Sequence, residues 1–331
     1  MAVHDGERFL AEAIESVLGQ SVSELELLVI DDGSNDVTPE ILDGFAARDR
    51  RVVVRRQDNQ GRTPSLNRGV ALARAPLVAR LDADDVCLPE RFARRVAFLD
   101  RHPAVALVGG AVRLIDDGGR AFKESRYPLS DDEIRRAFAY TTPFVHSAVM
   151  FRRSAFDAAG GYRTCLVETE DLDLWLRIAE RHELANLPDT VVAYCLHGGQ
   201  ATVRGLELQA LCLVAARLSA RARGAGEPDP LADAARIDEA WLLAHGATTR
   251  EIAQAIVDSA TWLAKLMGRA GYAEQADDLL DAVQARARRE PHPGEMLATL
   301  HRARAARHAL EGRPVLARIE RGRALLAKRR P

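Results

Sequence analysis

For its first two hundred residues the chain alternates short apolar runs with segments of helical spacing, and this alternation restricts the fold more than any other feature. The run LELLVIDDGS (25–34) is short, apolar and stopped by acids and Gly, as buried parallel strands are. RVVVRR (51–56), LVARLD (77–82) and AVALVGGAVRLID (104–116) read the same way, the last with a Gly-Gly break. Between them, FLAEAIESVLGQ (9–20) places Leu10, Ile14, Val17 and Leu18 at helical spacing. TPEILDGFAARD (38–49) predicts a helix with Thr38 as N-cap and Pro39 at its first position. TPSLNRGVALAR (63–74) and LPERFARRVAFLDRHP (88–103) are further helices. The expected class is α/β with a mainly parallel central sheet. Ligands of such sheets gather beyond the carboxyl ends of the strands, where Asp31, Asp32 and Asp82 stand.

After about residue 203 the strand signals vanish and Ala, Leu, Arg and Glu dominate. The expectation is a domain over 1–203 followed by an all-α domain over 204–331, built of five or six short helices in antiparallel hairpins. AGYAEQADDLLDAVQARAR (270–288) resembles a tetratricopeptide unit, but no fixed period recurs, which favours a plain bundle. The formal net charge of −2 gives no general pull toward nucleic acid or membrane. No apolar run approaches the ~20 residues of a membrane span. The start, MAVHDGERFL, lacks the pattern of a secretory signal. Cys87, Cys165, Cys195 and Cys212 lie far apart, without metal spacing, and read as reduced thiols of a cytoplasmic protein.

Acids cluster at four places. In VARLDADDVCLPERF (78–92), Asp82, Asp84 and Asp85 crowd behind a strand. The i, i+2 spacing lets Asp82 and Asp84 reach one side of a turn, where one could hold Mg²⁺ or Mn²⁺ and the other a metal-bound water or a sugar hydroxyl. An isolated DxD is more often a turn or a helix N-terminus. In VIDDGSNDVTPE (29–40) a carboxylate could accept a hydrogen bond from a base N–H, or simply close an Asx turn. In ETEDLDLWLRIAERH (168–182), Glu170 and Asp171 could complement a helix N-terminus, or Asp171 could be a general base aimed into a cleft. Trp175 shares the apolar face of that helix and reads as core. His197, in YCLHGGQAT (194–202), could donate to a phosphate or ligate a metal, although a lone His is more often structural.

The order and spacing of these pieces resemble family 2 of the glycosyltransferases, with its GT-A fold. The resemblance rests on GERFLAEAIESVLGQ, ELLVIDDGSNDVT, NQGRTPSLNRGVALA, ARLDADDVCLPERF, PFVHSAVMFRRSAFDAAGGYR and ETEDLDLWLRI, and covers about residues 1–202. It implies that Asp32 contacts the nucleotide base and that Ala2, His4 and Asp5 also touch the nucleotide. It implies that Asp82 contacts ribose and metal, that Asp84 is the foremost direct metal ligand, and that His197 lies near the diphosphate or metal. Asp171 matches the catalytic base, and His146 and Glu170 lie on the acceptor side. The implied activity is metal-assisted, inverting transfer from a UDP-, GDP- or TDP-sugar to a glycan or lipid-linked acceptor.

Three departures stand out. The first strand of the family pattern is cut short at Met1, which predicts either a natural start upstream or a rearranged sheet. His4 and Asp5 occupy positions where Tyr-Asn is common. Leu66 stands where an Arg is common, leaving Arg62 or Arg68 to compensate in binding the nucleotide.

The end of the chain, 301–331, is strongly basic: Arg302, Arg304, Arg307, Arg313, Arg318, Arg321, Arg323, Lys328, Arg329 and Arg330 face only Glu311 and Glu320. It reads as a solvated helix face, or as a contact with anionic membrane that would hold the protein at the inner face. No motif supports nucleic-acid binding. Two rivals remain. A non-catalytic sugar-nucleotide binder, using its helices to recruit partners, has no physical need for Asp82, Asp84 and Asp171 together. A nucleotidyltransferase would want a Gly-rich basic loop near the first strand, which is missing.

Overall fold

The computed structural model describes residues 1–198 and 205–328. It divides into two units, Met1–Cys195 and Leu196–Pro331. The first unit opens with strands β1 (Ala2–Val3), β2 (Leu27–Asp32) and β3 (Val52–Gln57), parallel and in that order. Helices α1 (Leu10–Leu18) and α2 (Thr38–Arg48) carry the chain back between them, and α3 (Arg62–Leu72) follows β3. Ala2 pairs with Ile30 and Leu27 with Val52, so Val3, Asp32 and Gln57 finish at one edge. That edge collects the loops containing His4, Asp5 and Asn59.

The rest of the unit is a second sheet. Its strands are β4 (Leu77–Ala79), β5 (Val86–Cys87), β6 (Val105–Asp116), β7 (Ala121–Ser125), β8 (Met150–Arg152) and β9 (Glu183–Leu196). The order is β4-β8-β6-β9-β5, with β7 paired to β6. Interleaved are α4 (Arg91–Arg101), α5 (Asp131–Ala137), a one-turn 3₁₀ helix (His146–Ala148), α6 (Arg153–Ala158) and α7 (Glu170–Ala179). The expected mainly parallel pattern holds for β1–β3. In contrast β4/β8, β6/β8, β6/β7 and β5/β9 pair antiparallel. The β6–β7 link is a hairpin, too short for the crossover that a parallel pair needs.

Two local expectations are corrected. Gly109 and Gly110 do not break β6, which runs unbroken for 12 residues. They admit close neighbours instead: a Cβ on Gly109 would collide with Asn186 Oδ1 and the Phe144 ring, and one on Gly110 with the Arg95 guanidinium. Gly109→Ala is therefore expected to cost about 1–3 kcal/mol by overpacking. The readout is a lower urea midpoint at unchanged slope, and an unchanged midpoint would show that the strand has room. Thr38 is not the N-cap of α2. Val37 holds that place, and Asp36 Oδ1 accepts from the Thr38 N–H (2.9 Å), while Thr38 Oγ1 accepts from Gly6 N–H (2.8 Å).

Among the described residues the second unit has six helices: α8 (Leu206–Gly224), α9 (Glu239–Ala244), α10 (Thr249–Ala270), α11 (Ala273–Ala287), α12 (Gly294–Leu310) and α13 (Pro314–Lys328). All but the six-residue α9 are longer than the sequence suggests, α10 reaching 22 residues. Its start carries a Thr248–Glu251 capping box and its end turns at Gly271, whose φ of 99° suits only glycine without strain. No helix among the described residues is long and apolar enough to cross a membrane. All four cysteines are buried.

Candidate active site

Asp32 ends β2 almost fully buried, and its carboxylate organises the loop after β3. Oδ1 accepts from Gln57 Nε2 (2.6 Å) and Gln60 N–H (2.9 Å), and Oδ2 accepts from Gly61 N–H (2.8 Å). A carboxylate has about four acceptor positions, so roughly one is left for a ligand N–H. Exposed His4 sits over this edge. Its Nδ1 lies 3.0 Å from the Asp32 carbonyl oxygen, and its Nε2 3.2 Å from Asn59 Nδ2. Asp5 adopts a positive φ of 52°, accepts from Asn35 N–H (2.7 Å) and is bonded through its own N–H to Ser34 Oγ (3.0 Å). Ala2 is half-buried within β1. Together these residues form a polar rim at the ends of β1 and β2, the place expected for a nucleotide.

The DxD segment joins β4 to β5. Asp82 is bonded on one oxygen by buried Arg80 and on the other by Ser147 Oγ (2.7 Å), and its N–H donates to the same hydroxyl (2.9 Å). Burial opposes its charge, but the Arg80 guanidinium outweighs that and holds the carboxyl well below the usual range. Asp85 is wholly buried; Oδ1 accepts from Cys195 N–H (2.8 Å), while Oδ2 has no hydrogen-bond partner. Burial, then the charges of Asp84 and Asp82, push its carboxyl well above the usual range. Three crowded carboxyl groups, one with an orphaned buried oxygen, are hard donors, which suits a divalent cation. Yet among the described residues no three His, Cys, Asp or Glu side chains are gathered into a metal cage. Asp82, Asp84 and His197 are therefore not a ready-made ligand set. A site that takes only one or two carboxylates from the protein, and the rest from substrate phosphates and water, fits this arrangement. His197 stands just past the end of β9 and is half-buried.

The third group surrounds the start of α7. Its apolar face, including Trp175 at 0% exposure, is core, as its spacing predicts. Buried Asp173 binds Arg177 (2.7 Å) and Arg163 (3.3 Å), and Arg177 donates to the Gly161 carbonyl (2.8 Å), so the helix is clamped to the Gly-Gly-Tyr turn. Thr169, before the helix, has a φ of 62°, a strained value for a β-branched residue, costing about 1–3 kcal/mol. Glu170 and Asp171 follow it as the first two residues of α7. Asp171 keeps some solvent contact, and its Oδ1 accepts from Leu172 N–H (2.7 Å). Burial, then the adjacent Glu170 carboxylate, push its acid up to about 7.

Arg62, the first residue of α3, donates through Nη2 to Glu168 Oε2 (2.7 Å) and Glu170 Oε2 (3.2 Å). Its guanidinium thus meets the two carboxylates that border the start of α7. Glu170 is 2% exposed and lies 3.7 Å from His146 Nδ1. His146 Nε2 is 2.8 Å from the Tyr162 hydroxyl, and its ring meets Trp175 edge-on. Burial, then Arg80, hold His146 well below its ordinary pKa, so it is neutral. Arg68 bonds Gln57 Oε1 (2.7 Å), which in turn holds Asp32, while Leu66 is core.

These contacts bring the separate acids together. Asp32 holds Gly61, the neighbour of Arg62; Arg62 holds Glu170; Glu170 lies by His146; and Ser147, next in the chain, holds Asp82. The charge of Asp82 also acts on Asp171. Sequence reasoning missed Arg80, Ser147, Tyr162, Glu168, Gln57 and Asn59. Arg80 had a signal: a lone cation inside an apolar run, two residues before Asp82. The others are ordinary polar residues whose roles depend on the fold.

The model of the family described as Glycosyl transferase family 2 matches residues 1–160. The amylovoran biosynthesis glycosyltransferase AmsE of Erwinia amylovora is 36% identical over 188 residues, covering 55% of this chain and 69% of the relative. The O-antigen biosynthesis glycosyltransferase WbnJ of Escherichia coli is 29% identical over 202 residues, covering 60% and 78%. Among solved structures, S. aureus TarS 1–349 in complex with UDP-GlcNAc superposes with a TM-score of 0.55 at 16% identity, covering 99% of this chain and 88% of that one. The mannosyltransferase PcManGT of Pyrobaculum calidifontis, in complex with GDP-Man and Mn²⁺, gives 0.52 at 16%, covering 99% and 85%. At such identity the superpositions speak for the GT-A fold with its C-terminal helical extension.

Proposed function

The chain belongs to glycosyltransferase family 2, and from that membership we propose that it carries a glycosyl group from a nucleoside diphosphate sugar to an acceptor hydroxyl in one inverting displacement, with Asp171 as the base. The observation that carries this reading is the convergence of Asp82, Glu170 and Asp171 through the Arg62 and Ser147 contacts. The rim of His4, Asp5 and Asp32 binds the nucleoside, with the base over His4 and the last acceptor position of Asp32 facing a base N–H. Asp84, with Asp82, would hold a divalent cation, Mg²⁺ or Mn²⁺, which supplies Lewis-acid neutralisation of the diphosphate. His197 is the further candidate for contact with the diphosphate.

Asp171 takes the acceptor proton as the acceptor oxygen bonds to the anomeric carbon and the bond to the diphosphate oxygen breaks. A carboxyl pushed to about 7 is well matched to that task near neutral pH. Glu170, next to Asp171 in the chain, and His146, 3.7 Å from Glu170, are the candidates for orienting it on the acceptor side. The named relatives of amylovoran and O-antigen biosynthesis support a growing surface glycan, free or lipid-linked, as acceptor. A lipid-linked acceptor would draw the protein to the cytoplasmic face of a membrane.

The direct test is calorimetry with UDP and GDP, with and without Mn²⁺, followed by a hydrolysis screen across UDP-, GDP- and TDP-sugars. Asp84→Ala is expected to weaken Mn²⁺-dependent nucleotide binding at least about tenfold, or ~1.4 kcal/mol. Metal-free binding should be unchanged. Equal affinity of the variant in Mn²⁺ would remove Asp84 from the ligand set.

A further inference from the structure

Helix α13 is packed the wrong way round for its composition. Ala317, Ala324 and Ala327 form its buried face, with Ala324 and Ala327 against Ala298 of α12. Its large aliphatic residues point outward: Val315 is 70% exposed, Leu325 66%, Leu326 63%, Ile319 46% and Leu316 41%. At 3.6 residues per turn, Val315, Ile319 and Leu326 fall on one stripe opposite the alanines. Scattered exposed leucines need no explanation, but five large exposed aliphatic residues on one 15-residue helix, three of them in one stripe, are a patch.

The charges on this helix have one sign at its surface. Its single acid, Glu320, is buried and bonded to His301 Nδ1 (2.6 Å) and Arg323 Nη1 (2.6 Å). Arg318, Arg321, Arg323 and Lys328 are all exposed. Among the described residues Arg318 and Arg321 make no ion pair. Arg318 and Arg323 flank the aliphatic stripe on either side. Not all of the basic tail shares this role: Arg304 and Arg307 are buried, bonded to Asp281 and to Asp277 and Glu311 respectively. Arg329 and Arg330 lie outside the described residues.

We propose that the outer face of α13 docks on anionic lipid, with Val315, Ile319 and Leu326 entering the acyl boundary and Arg318, Arg321 and Arg323 meeting the headgroups. An aliphatic stripe edged by Arg, on a helix lying in the interface plane, has the chemistry of that surface. A second copy of this face is a poorer occupant, because two such faces would oppose positive charge to positive charge. The absence of Trp, Tyr and Phe from the stripe also removes the usual anchors of a protein interface.

The test is co-sedimentation of the full chain with phosphatidylcholine vesicles, with and without phosphatidylglycerol. The wild type is expected to pellet with the anionic vesicles and to be released by salt. The variant V315S/I319S/L326S, and separately R318Q/R321Q, should each lower the vesicle partition coefficient at least tenfold. All five positions are exposed, and far-UV circular dichroism with the urea midpoint of each variant checks that it is folded without reference to nucleotide binding, so a loss of vesicle binding is separable from a failure of the transferase reading. Wild-type protein left in the supernatant, or variants that pellet as well as wild type, would overturn the proposal. So would a dimer in analytical ultracentrifugation that V315S/I319S/L326S dissolves, without vesicle binding by the wild type.

Discussion

Asp171→Asn is expected to lower glycosyl transfer about 10²–10⁴-fold while leaving nucleotide affinity nearly unchanged. The substitution preserves shape: the asparagine carbonyl can still accept the Leu172 N–H that Oδ1 accepts at 2.7 Å. What it removes is the ability to take a proton. The pH dependence gives an independent check. With its carboxyl pushed to about 7, Asp171 is protonated below that value and ionised above it. Because the base works ionised, kcat/KM for the acceptor should rise with pH through about 7 and then level off. Stability should move the other way. Between about 4 and 7 the folded protein holds a proton that the unfolded chain releases, so the fold loses stability as pH rises across that window. Asp171→Asn should flatten both dependences. A variant that transfers at near wild-type rate, or one that keeps the rising limb, would assign the base elsewhere in the coupled pair with Glu170.

Arg62→Leu is expected to damage both fold and turnover. Glu170, 2% exposed, faces this guanidinium as its chief cation, and Glu168 shares it. Breaking a fully buried ion pair costs about 3–5 kcal/mol, and since the Arg62 side chain is 32% exposed, a loss of about 2–3 kcal/mol is the reasonable figure here. Burial already raises the Glu170 carboxyl, and loss of Arg62 raises it further. Native Glu170 then holds its proton where the unfolded chain has released it, so the destabilisation grows with pH. Urea midpoints should show a small penalty near pH 5 and the full one near pH 8. Transfer should fall as well, and the donor KM should rise, because Arg62 follows the loop that Asp32 grips. Arg62→Lys should recover part of the stability but less of the rate, since an ammonium cannot reproduce the planar fork. A penalty that is the same at both pH values would show that Arg62 acts by packing alone.

The acids of this site were legible because strand-end carboxylates have few other reasons to crowd together. Asp32 and Asp82 fall where α/β alternation puts ligand contacts, whereas Asp171, in the first turn of a helix, stood out by its match to a known pattern. Their partners were not legible, because contacts such as Ser147 to Asp82 or Arg62 to Glu170 join residues 65 and 108 positions apart. Nothing local encodes such distances. The same limit explains β6. Gly-Gly reads as a break when only the chain is considered, and becomes a necessity once Asn186 and Arg95 approach from other elements. Strand direction in the second sheet was hidden for a related reason: apolar runs look alike whether their neighbours run with them or against them. The basic tail was read correctly as a charge excess, but burial decides which of its arginines face outward, and burial belongs to the packed bundle.

The turn from Gln57 to Arg62 is gripped at both ends, by Asp32 through the amides of Gln60 and Gly61 and by Glu170 through the guanidinium. In the roles proposed above, donor handling and acceptor deprotonation therefore share one short tether. Anyone redesigning this protein for a new sugar will find the two traits inherited together: reshaping the nucleoside rim drags the proton acceptor with it, and a change of donor must be selected jointly with turnover.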